Sequence, residues 1–323
     1  MFMLQFHHHP QTCGQLLESY RGHREPVTGA KLRFEGVDGR DVYNITAAFA
    51  DYGAPVLAGR VEARDTEFSC VKFFRRKEGG GQKDGSWQVD EVLPELALQD
   101  PFYTRIGEEL VFGGVRVIED EQNPGKIKSW ETVFSRGASV AELQPFLVGP
   151  SHMKDIRMVQ LADGAIGVFT RPQGEKGGRG KIGFFKAASL EAVTQADIAE
   201  APLLEGMFID EEWGGANEAH LLANGLIGVL GHIAWFDEAG HRHYYAMTFA
   251  LNPDTLERTP LKLVAERSDF PDGPAKRRDL QDVIFSGGLI RNGNGWAELY
   301  VGASDAEAYV ITIPDPLLEY EGL

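Results

Sequence analysis

The sequence predicts an all-β fold, a five-bladed β-propeller, in a single domain that takes in residues 1–323. Three observations predict it: the apolar runs are short and bounded by turns, glycine is frequent with 38 residues, and one segment pattern occurs five times. A period of about 60 residues with three or four strands per unit is typical of propellers. The alternative is an irregular two-sheet protein whose hairpins resemble one another by chance.

Each unit opens on a polar residue and continues as a strand, a glycine-containing turn and a second strand. The units start at Asp41, Asp100, Asp155, Asn217 and Asp282. A third strand follows most of them, in "FSCVKFF", "WETVFS", "KIGFFKA", "YYAMTFAL" and "AYVITIP". Helix is expected only in "SVAELQPF" and "SLEAVTQADIAEA", which leaves an almost purely β protein.

Composition narrows the class of partner. A formal net charge of −16 argues against nucleic acid and anionic membranes, because binding to their phosphates needs clustered Lys and Arg. It does not argue against a local cationic pocket. Only two cysteines, no secretory signal pattern and no run of about 18 apolar residues predict a cytoplasmic protein in a reducing compartment.

No metal or cofactor is expected, since zinc-ligand spacing and EF-hand patterns are absent and His7–His9 is interpreted as an exposed run. The glycine-rich segments Lys77–Gly85 and Gly174–Gly180 lack the strand-to-helix context of a phosphate-binding loop. They are predicted to be flexible loops at blade edges, with a lid as the alternative for the second. The basic run Lys276–Arg278 is predicted to be solvated, with contact to a donor phosphate as the alternative.

Chemistry is expected at one mouth of the channel, where corresponding strand ends converge. The second strands end near Arg60, Gly113, Arg171, His232 and Asp305. With the polar unit starts, these residues would gather acids, two arginines and a histidine in one pocket. Carboxylates bind sugar hydroxyls and guanidinium groups bind phosphate, so the mixture suits a polyhydroxylated, partly anionic ligand.

Five groups of motifs in chain order make the sequence resemble a known family. They are "VYN" with "GRVEARDTEFS", "QDPF", "VFTRPQ", "VLGHIAW" with "RHYYAM", and "VIFSGGLI" with "LYVGASDA", from about Asp41 to Pro314. The chain resembles the five-bladed β-mannoside phosphorylases of glycoside hydrolase family 130. More closely it resembles the β-1,2-mannan mannosyltransferase/phosphorylases of protozoa and some bacteria. "VFTRPQ" and "YVGASD" are the most specific motifs.

The resemblance implies an inverting transfer with Asp100 as the general acid. Phosphate attacks one face of the sugar while the acid protonates the glycosidic oxygen through a sugar hydroxyl. In reverse, mannose-1-phosphate or GDP-mannose donates mannose to a manno-oligosaccharide. One carboxylate suffices because phosphate replaces the base-activated water of an inverting hydrolase. Burial and neighbouring acids are expected to keep Asp100 protonated part of the time.

The resemblance also implies the binding residues. Substrate binding is expected from Asn44, Arg60, Asp155, Tyr244 and Asp305, and phosphate binding from Lys154, Arg171 and His232. Ordinary alternatives stay open: a core histidine at His232, an arginine that only packs at Arg171, and Tyr245 in place of Tyr244. Asp282 is expected to be structural.

Three positions depart from the family pattern. Phe102 stands where the acid motif has Arg, Gln99 where it has Glu, and Glu212 with Trp213 where a Lys is common. Fewer cations would weaken phosphate binding, which favours the mannosyltransferase/phosphorylase branch, where the donor is either a sugar phosphate or a nucleotide sugar.

Two other functions remain open. A propeller glycosidase that uses water would need a second carboxylate, Asp305 or Asp155, about 6.5–9.5 Å from Asp100. A non-catalytic carbohydrate-binding propeller is the third hypothesis, because a fold does not determine a function.

Overall fold

The computed structural model describes residues 9–24, 27–76 and 86–323. His7, His8 and the glycine-rich segment at 77–85 lie outside the described residues, so the expectations for them stay predictions. The described chain consists mainly of antiparallel strands paired in chain order, which confirms the all-β prediction.

The first sheet holds the first predicted unit. Its strands are β2 (Arg33–Glu35), β3 (Asp41–Tyr43), β4 (Phe49–Asp51), β5 (Ala54–Glu62), β6 (Ser69–Arg76) and β7 (Ser86–Val89). The order is β2-β7-β6-β5-β3, with β4 also paired to β5. The inner edge is therefore interrupted between β3 and β4, and Asn44 lies at the start of this break.

The second and third units form separate sheets. The second is β8 (Gln99–Ile106), β9 (Glu109–Glu119), β10 (Ile127–Gly137) and β11 (Gln144–Val148), and the third is β12 (Arg157–Gln160), β13 (Ile166–Thr170) and β14 (Gly183–Ala187). Neighbours in each sheet are consecutive in the chain and antiparallel. The glycine-containing turn of the second unit, which includes Gly107, joins β8 to β9.

The last two units share one eight-stranded sheet. Its strands are β15 (Trp213–Leu221), β16 (Ile227–Phe236), β17 (Arg242–Leu251), β18 (Lys262–Ala265), β19 (Asp282–Arg291), β20 (Trp296–Ala303), β21 (Glu307–Pro314) and the early strand β1 (Thr28–Lys31). A short parallel pairing of β17 with β19 links the two units. Strand β1 pairs with β21, so the beginning of the described chain completes the last unit.

Helix is limited but exceeds the prediction. The helices are α1 (Cys13–His23), α2 (Gly174–Gly177) and α3 (Gln195–Glu200), with 3-10 turns at Val140–Glu142, Leu190–Ala192, Arg267–Asp269, Arg278–Leu280 and Leu318–Gly322. Both segments predicted to be helical contain such elements. The expectation of only two helical segments was wrong for α1 and for α2, which lies in a segment predicted to be a loop. Helix α1 buries just Cys13, Leu16 and Leu17. Thr12 caps it, and Glu212 Oε1 accepts a hydrogen bond from Cys13 N at 2.6 Å.

The apolar core lies between neighbouring units. Separate clusters join the first unit to the second, the second to the third, the third to the fourth and the fourth to the fifth. A further cluster packs Ile45, Leu57 and Phe74 of the first unit against Tyr300 of the last. Successive sheets thus pack on one another in a propeller-like arrangement, and buried polar residues are left to the centre.

Candidate active site

One cavity of about 220 Å³, which we call the inner cavity, is lined by the residues that the sequence predicts for the site. Its lining includes all nine of them: Asn44, Arg60, Asp100, Lys154, Asp155, Arg171, His232, Tyr244 and Asp305. The unit starts Asp41 and Asp282 are not among its lining residues, and each is paired elsewhere, with Arg64 and with Tyr245. The convergence expected at one mouth therefore holds for some unit starts only.

Local backbone conformation turns four of these side chains inward. Asn44, Asp100, Asp155 and Asp305 all have positive φ, between 44° and 58°. Asn and Asp tolerate the left-handed region best among residues other than glycine, and such conformations concentrate at functional sites. At Asp100 the ladder between β8 and β9 also shifts register, between Gln99 and Phe102. A bulge of this kind redirects a side chain that a regular strand would place on the sheet face.

Asp100 is buried and held through one of its two oxygens. Asn44 Nδ2 donates to Oδ1 at 2.8 Å, and Arg60 Nη1 donates to the same oxygen at 3.1 Å. Burial would raise the pKa of Asp100, but the charges of Arg60 and Lys154 and the hydrogen bond from Asn44 outweigh it and lower the pKa. The expectation of a partly protonated Asp100 is thus wrong for the cavity without ligand.

A buried charge network stands behind Arg60. Its Nε donates to Glu62 Oε2 at 2.9 Å, and Tyr43 Oη donates to the other Glu62 oxygen at 2.8 Å. Lys276 also pairs with Glu62, and its side chain is only 3% exposed. The prediction of a solvated Lys276 was wrong, because the loop folds back and places this ammonium beside a buried carboxylate.

Asp305 differs from Asp100 in its surroundings. It is partly buried and follows Ser304, which also has positive φ. Burial raises the pKa of Asp305, the neighbouring Asp100 adds to the rise, and Arg60, Lys276 and Lys154 only partly oppose it. The pKa values of these two carboxyl groups in one cavity are therefore shifted in opposite directions. The shift favours the ionised form of Asp100 and the protonated form of Asp305.

Arg171 and Asp155 form the opposite wall. Arg171 Nη1 lies 3.3 Å from Asp155 Oδ2, and its Nε donates to the Gly214 carbonyl at 3.0 Å. Two glycines make room for the guanidinium group. A Cβ at Gly180 would lie 2.6 Å from Arg171 Nε, and one at Gly215 would lie 2.8 Å from Arg171 Cδ. The segment Gly174–Gly180 contains the short helix α2. It also supports Arg171, because Gly180 leaves room for the guanidinium group and the Arg179 carbonyl accepts a hydrogen bond from Arg171 Nη2.

His232 is buried and is held by Asn217 and Tyr244. Its Nδ1 lies 2.7 Å from Asn217 Oδ1, and the ring stacks on Tyr244 with centroids 5.5 Å apart. Burial lowers the pKa of His232 to about 3, and the charges of Arg171 and Lys154 act in the same direction. The ring is neutral at physiological pH.

Lys154 differs from the arginines of the inner cavity, which are all paired with carboxylates. Among residues 9–24, 27–76 and 86–323 it has no ion pair or hydrogen bond. The inner cavity holds five cations, Arg60, Lys154, Arg171, Arg242 and Arg277, against the four carboxylates of Glu67, Asp100, Asp155 and Asp305. A chain of net charge −16 has concentrated positive charge here, which favours an anionic ligand.

A second cavity of about 380 Å³, which we call the outer cavity, adjoins the inner cavity. The two cavities share the lining residues Gln99, Lys154, Arg171, Arg242 and Tyr244. The outer wall of the outer cavity is aromatic, with Trp130, Trp213 and Phe236. Arg179 lies over the Phe236 ring at 4.8 Å from the centroid, and Trp213 Nε1 donates to Tyr244 Oη at 3.1 Å. Aromatic faces beside hydrogen-bonding groups are typical of sugar-binding surfaces.

Two of the departures from the family pattern lie away from the inner cavity. Phe102 packs on Phe134, with Arg157 over its ring at 3.8 Å, and lines a different cavity. Glu212 binds the start of α1. Neither side chain lines the inner cavity. Gln99 does line it.

Sequence reasoning missed three supporting residues. Asn217 was noted only as a unit start, Glu62 only as part of a motif, and Lys276 as solvated. Their signal was weak because each acts through a partner from a distant part of the chain. No three His, Cys, Asp or Glu side chains are grouped for a metal ion in the described ranges, and no helix described there could span a membrane.

A family model covers most of the chain. Residues 19–319 match the family described as a protein of unknown function (DUF1861). No functionally curated protein matches the sequence.

Two solved structures from Leishmania mexicana are similar over nearly the whole chain. The mannose phosphorylase MPT-4, in complex with a phosphate ion, has 34% identity and a TM-score of 0.86 over 95% of this chain and 94% of that chain. The GDP-Man-dependent mannosyltransferase MPT-1 has 30% identity and a TM-score of 0.84 over 95% of each chain.

The fold extends to more distant relatives. The β-1,2-mannobiose phosphorylase from Listeria innocua has 14% identity and a TM-score of 0.59, over 92% of this chain and 93% of that chain. At this identity the similarity establishes the fold alone.

Proposed function

The chain belongs to DUF1861 and to the same family as the two Leishmania mannose enzymes, and from this premise we propose that it is a mannoside phosphorylase. The observation that supports the proposal is that Asp100 lines the same cavity as the cations Lys154 and Arg171. A proton donor and an anion site are the two elements that phosphorolysis of a glycoside needs. We further propose a five-bladed propeller, since separate core clusters join successive units and the last unit to the first. The cytoplasmic location predicted from composition stays part of the proposal.

The reaction we propose inverts the anomeric carbon of mannose. A phosphate oxygen forms a bond to that carbon while the bond to the glycosidic oxygen breaks. The departing oxygen takes up the proton of Asp100, directly or through a sugar hydroxyl. A β-1,2-linked manno-oligosaccharide then gives α-mannose-1-phosphate and a chain one residue shorter, and the reverse direction lengthens the chain.

The contacts of Asp100 suit a general acid. Asn44 and Arg60 both donate to Oδ1, which leaves Oδ2 to carry a proton toward the substrate. The pKa of Asp100 is lowered without ligand, in part by Lys154. A bound phosphate dianion would neutralise Lys154 and Arg171, so the pKa of Asp100 rises when the nucleophile is present.

The other carboxylates support phosphate rather than water as the nucleophile. An inverting hydrolase needs a free carboxylate base opposite the acid. Asp155 is paired with Arg171 and is therefore not free, and burial raises the pKa of Asp305. Asp305 is then suited to bind sugar hydroxyls, together with Asn44.

The outer cavity suits the rest of the oligosaccharide. Trp130 and Trp213 line it, and Arg179 and Arg242 supply donors. Phe102 and Glu212, two of the departures from the family pattern, lie outside the inner cavity, while Lys154 inside it has no ion-pair partner among the described residues. We therefore propose inorganic phosphate and mannose-1-phosphate as the partners, with GDP-mannose as the alternative to test.

The test is turnover of β-1,2-mannobiose with phosphate, and of mannose with mannose-1-phosphate or GDP-mannose, in the native chain and in Asp100→Asn. We expect phosphate-dependent release of mannose-1-phosphate and a loss of about 10²–10⁴-fold in kcat for the variant. Asp163→Asn is the matched control, since Asp163 is an exposed turn acid that accepts from Ala165 N at 3.0 Å.

Three results would contradict the proposal. Free mannose released without phosphate would make the protein a hydrolase. Transfer from GDP-mannose alone would make it a nucleotide-dependent transferase. No turnover, with sugar binding equal in both proteins, would make it a binding module.

A further inference from the structure

The hydrogen bonds around His232 determine which ring nitrogen carries its proton. Asn217 Nδ2 donates to the Ser286 carbonyl at 2.7 Å, which an amide oxygen could not do. The Asn217 oxygen therefore faces His232 Nδ1, 2.7 Å away. An oxygen acceptor at this distance requires a proton on Nδ1. Nε2 of the neutral ring is consequently a lone-pair acceptor.

The surroundings keep the ring in this form. Arg171, Lys154 and Arg157 act against a positive charge on His232, and Asp155 is the carboxylate that favours one. Asp155 is already engaged by Arg171 at 3.3 Å. A second proton on His232 is thus disfavoured by burial and by three cations.

The ring lies beside the cations that would bind phosphate. A Cβ on Gly215 would lie 2.8 Å from Arg171 Cδ, 3.0 Å from His232 Cε1 and 3.2 Å from Asp155 Cβ, so the three side chains converge on one point. Nε2 has no hydrogen-bond partner within the described residues, although His232 lines the inner cavity. An acceptor next to an anion site is unusual, because it repels an oxygen that carries no proton.

We propose that His232 is a specificity-determining acceptor for the protonated oxygen of hydrogen phosphate, and that Asn217 is the positioning residue that holds its tautomer. Inorganic phosphate at neutral pH carries at least one P–OH group, which can donate to Nε2. Sulfate and the diphosphate of a sugar nucleotide carry no such proton. This inference rests on the proposed function and deepens it, since it selects the phosphate on which the transfer depends.

The proposal also orients the nucleophile. With its protonated oxygen directed to His232, phosphate presents its ionised oxygens to Lys154, Arg171 and the sugar. The oxygen that attacks is then one of the nucleophilic ones, and the proton on the remaining oxygen takes no part in the bond that forms.

The experiment measures binding of inorganic phosphate and of sulfate by calorimetry at neutral pH. We expect the native chain to bind phosphate about 100-fold or more tightly than sulfate, because a site built for a donor rejects an analogue that lacks it. Asn217→Asp replaces the amide by a carboxylate, which stabilises a cationic ring and turns Nε2–H into a donor. Sulfate binding is then gained and the preference for phosphate falls.

Asn224→Asp is the matched control. Asn224 Nδ2 also donates to a carbonyl, that of Tyr320 at 2.9 Å, and Asn224 is not part of either cavity. This variant should keep the native preference. Equal binding of phosphate and sulfate by the native chain would overturn the inference and leave the proposed function intact. No binding of phosphate at all would overturn both.

A second measurement is made on the native protein and does not use the Asn217→Asp variant. Nitrogen–proton correlation spectra of the native protein with labelled histidine distinguish the tautomers, and the His232 signals are those lost in His232→Gln. We expect a neutral ring protonated at Nδ1. A charged ring, or a proton on Nε2, would refute the assignment.

Discussion

At the scale of single residues, the candidate site depends on side chains that the backbone turns inward and on glycines that leave them room. Asn44, Asp100, Asp155 and Asp305 use positive φ to reach the cavity. Gly302 serves Asn44 in the same way, because a Cβ there would lie 2.4 Å from Asn44 Oδ1. Small residues next to charged ones are thus part of the binding geometry.

Gly180→Ala tests this point. The added methyl group would lie within 2.7 Å of three atoms of the Arg171 guanidinium group, so Arg171 must move. We expect phosphate binding to weaken about tenfold to 100-fold, the range for losing a charged hydrogen bond. Gly180 has φ +143°, so backbone strain adds to this contact, and Gly178→Ala in the same loop, with φ +58° and no atom within 4 Å of the new Cβ, is the control for strain alone. Equal loss in both variants would show that backbone strain, and not Arg171, is responsible.

At the scale of elements, the loop between β18 and β19 is tied to the first unit by charge. Lys276 pairs with the buried Glu62 and lies 3.1 Å from Glu67, and Arg277 pairs with Glu67 at 2.6 Å. Glu62 in turn holds Arg60, which contacts Asp100. The loop therefore closes one side of the inner cavity and supports Asp100 through Glu62 and Arg60.

Removing this tie should be costly. Lys276→Met leaves Glu62 short of a partner in a buried position, and we expect the free energy of unfolding to fall by about 3 kcal/mol. Lys186→Met, which removes the more exposed pair of Lys186 with Asp254, should change it by less than about 1 kcal/mol. Urea unfolding measures both. Similar small changes in the two variants would mean that the loop is not held by this pair.

At the scale of the whole molecule, the early strand β1 completes the last unit. It pairs with β21 from Thr28 opposite Thr312 to Lys31 opposite Tyr309. The first and last units also share an apolar cluster that includes Ile45 and Tyr300. Contacts between the two ends of the described chain thus join the first unit to the last.

Gly29→Ala tests the closure. Its Cβ would lie 2.4 Å from Ile311 Cγ2 and 2.5 Å from the Val310 carbonyl, so β1 must shift on β21. We expect a loss of about 1–3 kcal/mol in the free energy of unfolding, as for other overpacked sites. Gly22→Ala, in α1 with no atom within 4 Å of the new Cβ, should instead stabilise by about 0.5–1 kcal/mol. A Gly29 variant as stable as the native chain would contradict this role for β1.

Much of the architecture could be predicted from the sequence because hairpins form between residues that are close together in the chain. Alternation of apolar residues with turn glycines predicted the hairpins, and the recurrence of that pattern predicted the all-β class. The family resemblance pointed to mannoside enzymes, which the comparisons confirm. The nine residues named for the site lie in one cavity, while their individual roles remain proposals.

The remaining features were decided only by the tertiary structure, because they depend on residues far apart in sequence. A bulge between Gln99 and Phe102 points Asp100 into the cavity and leaves Phe102 outside it, and a shift of one residue reverses a strand's faces. Burial of Lys276 follows from a carboxylate 214 residues away. The tautomer of His232 follows from Asn217 and Ser286, which no local pattern connects. The sequence by itself determined which chemical groups are available, and the packing of units decided their charge, orientation and partners.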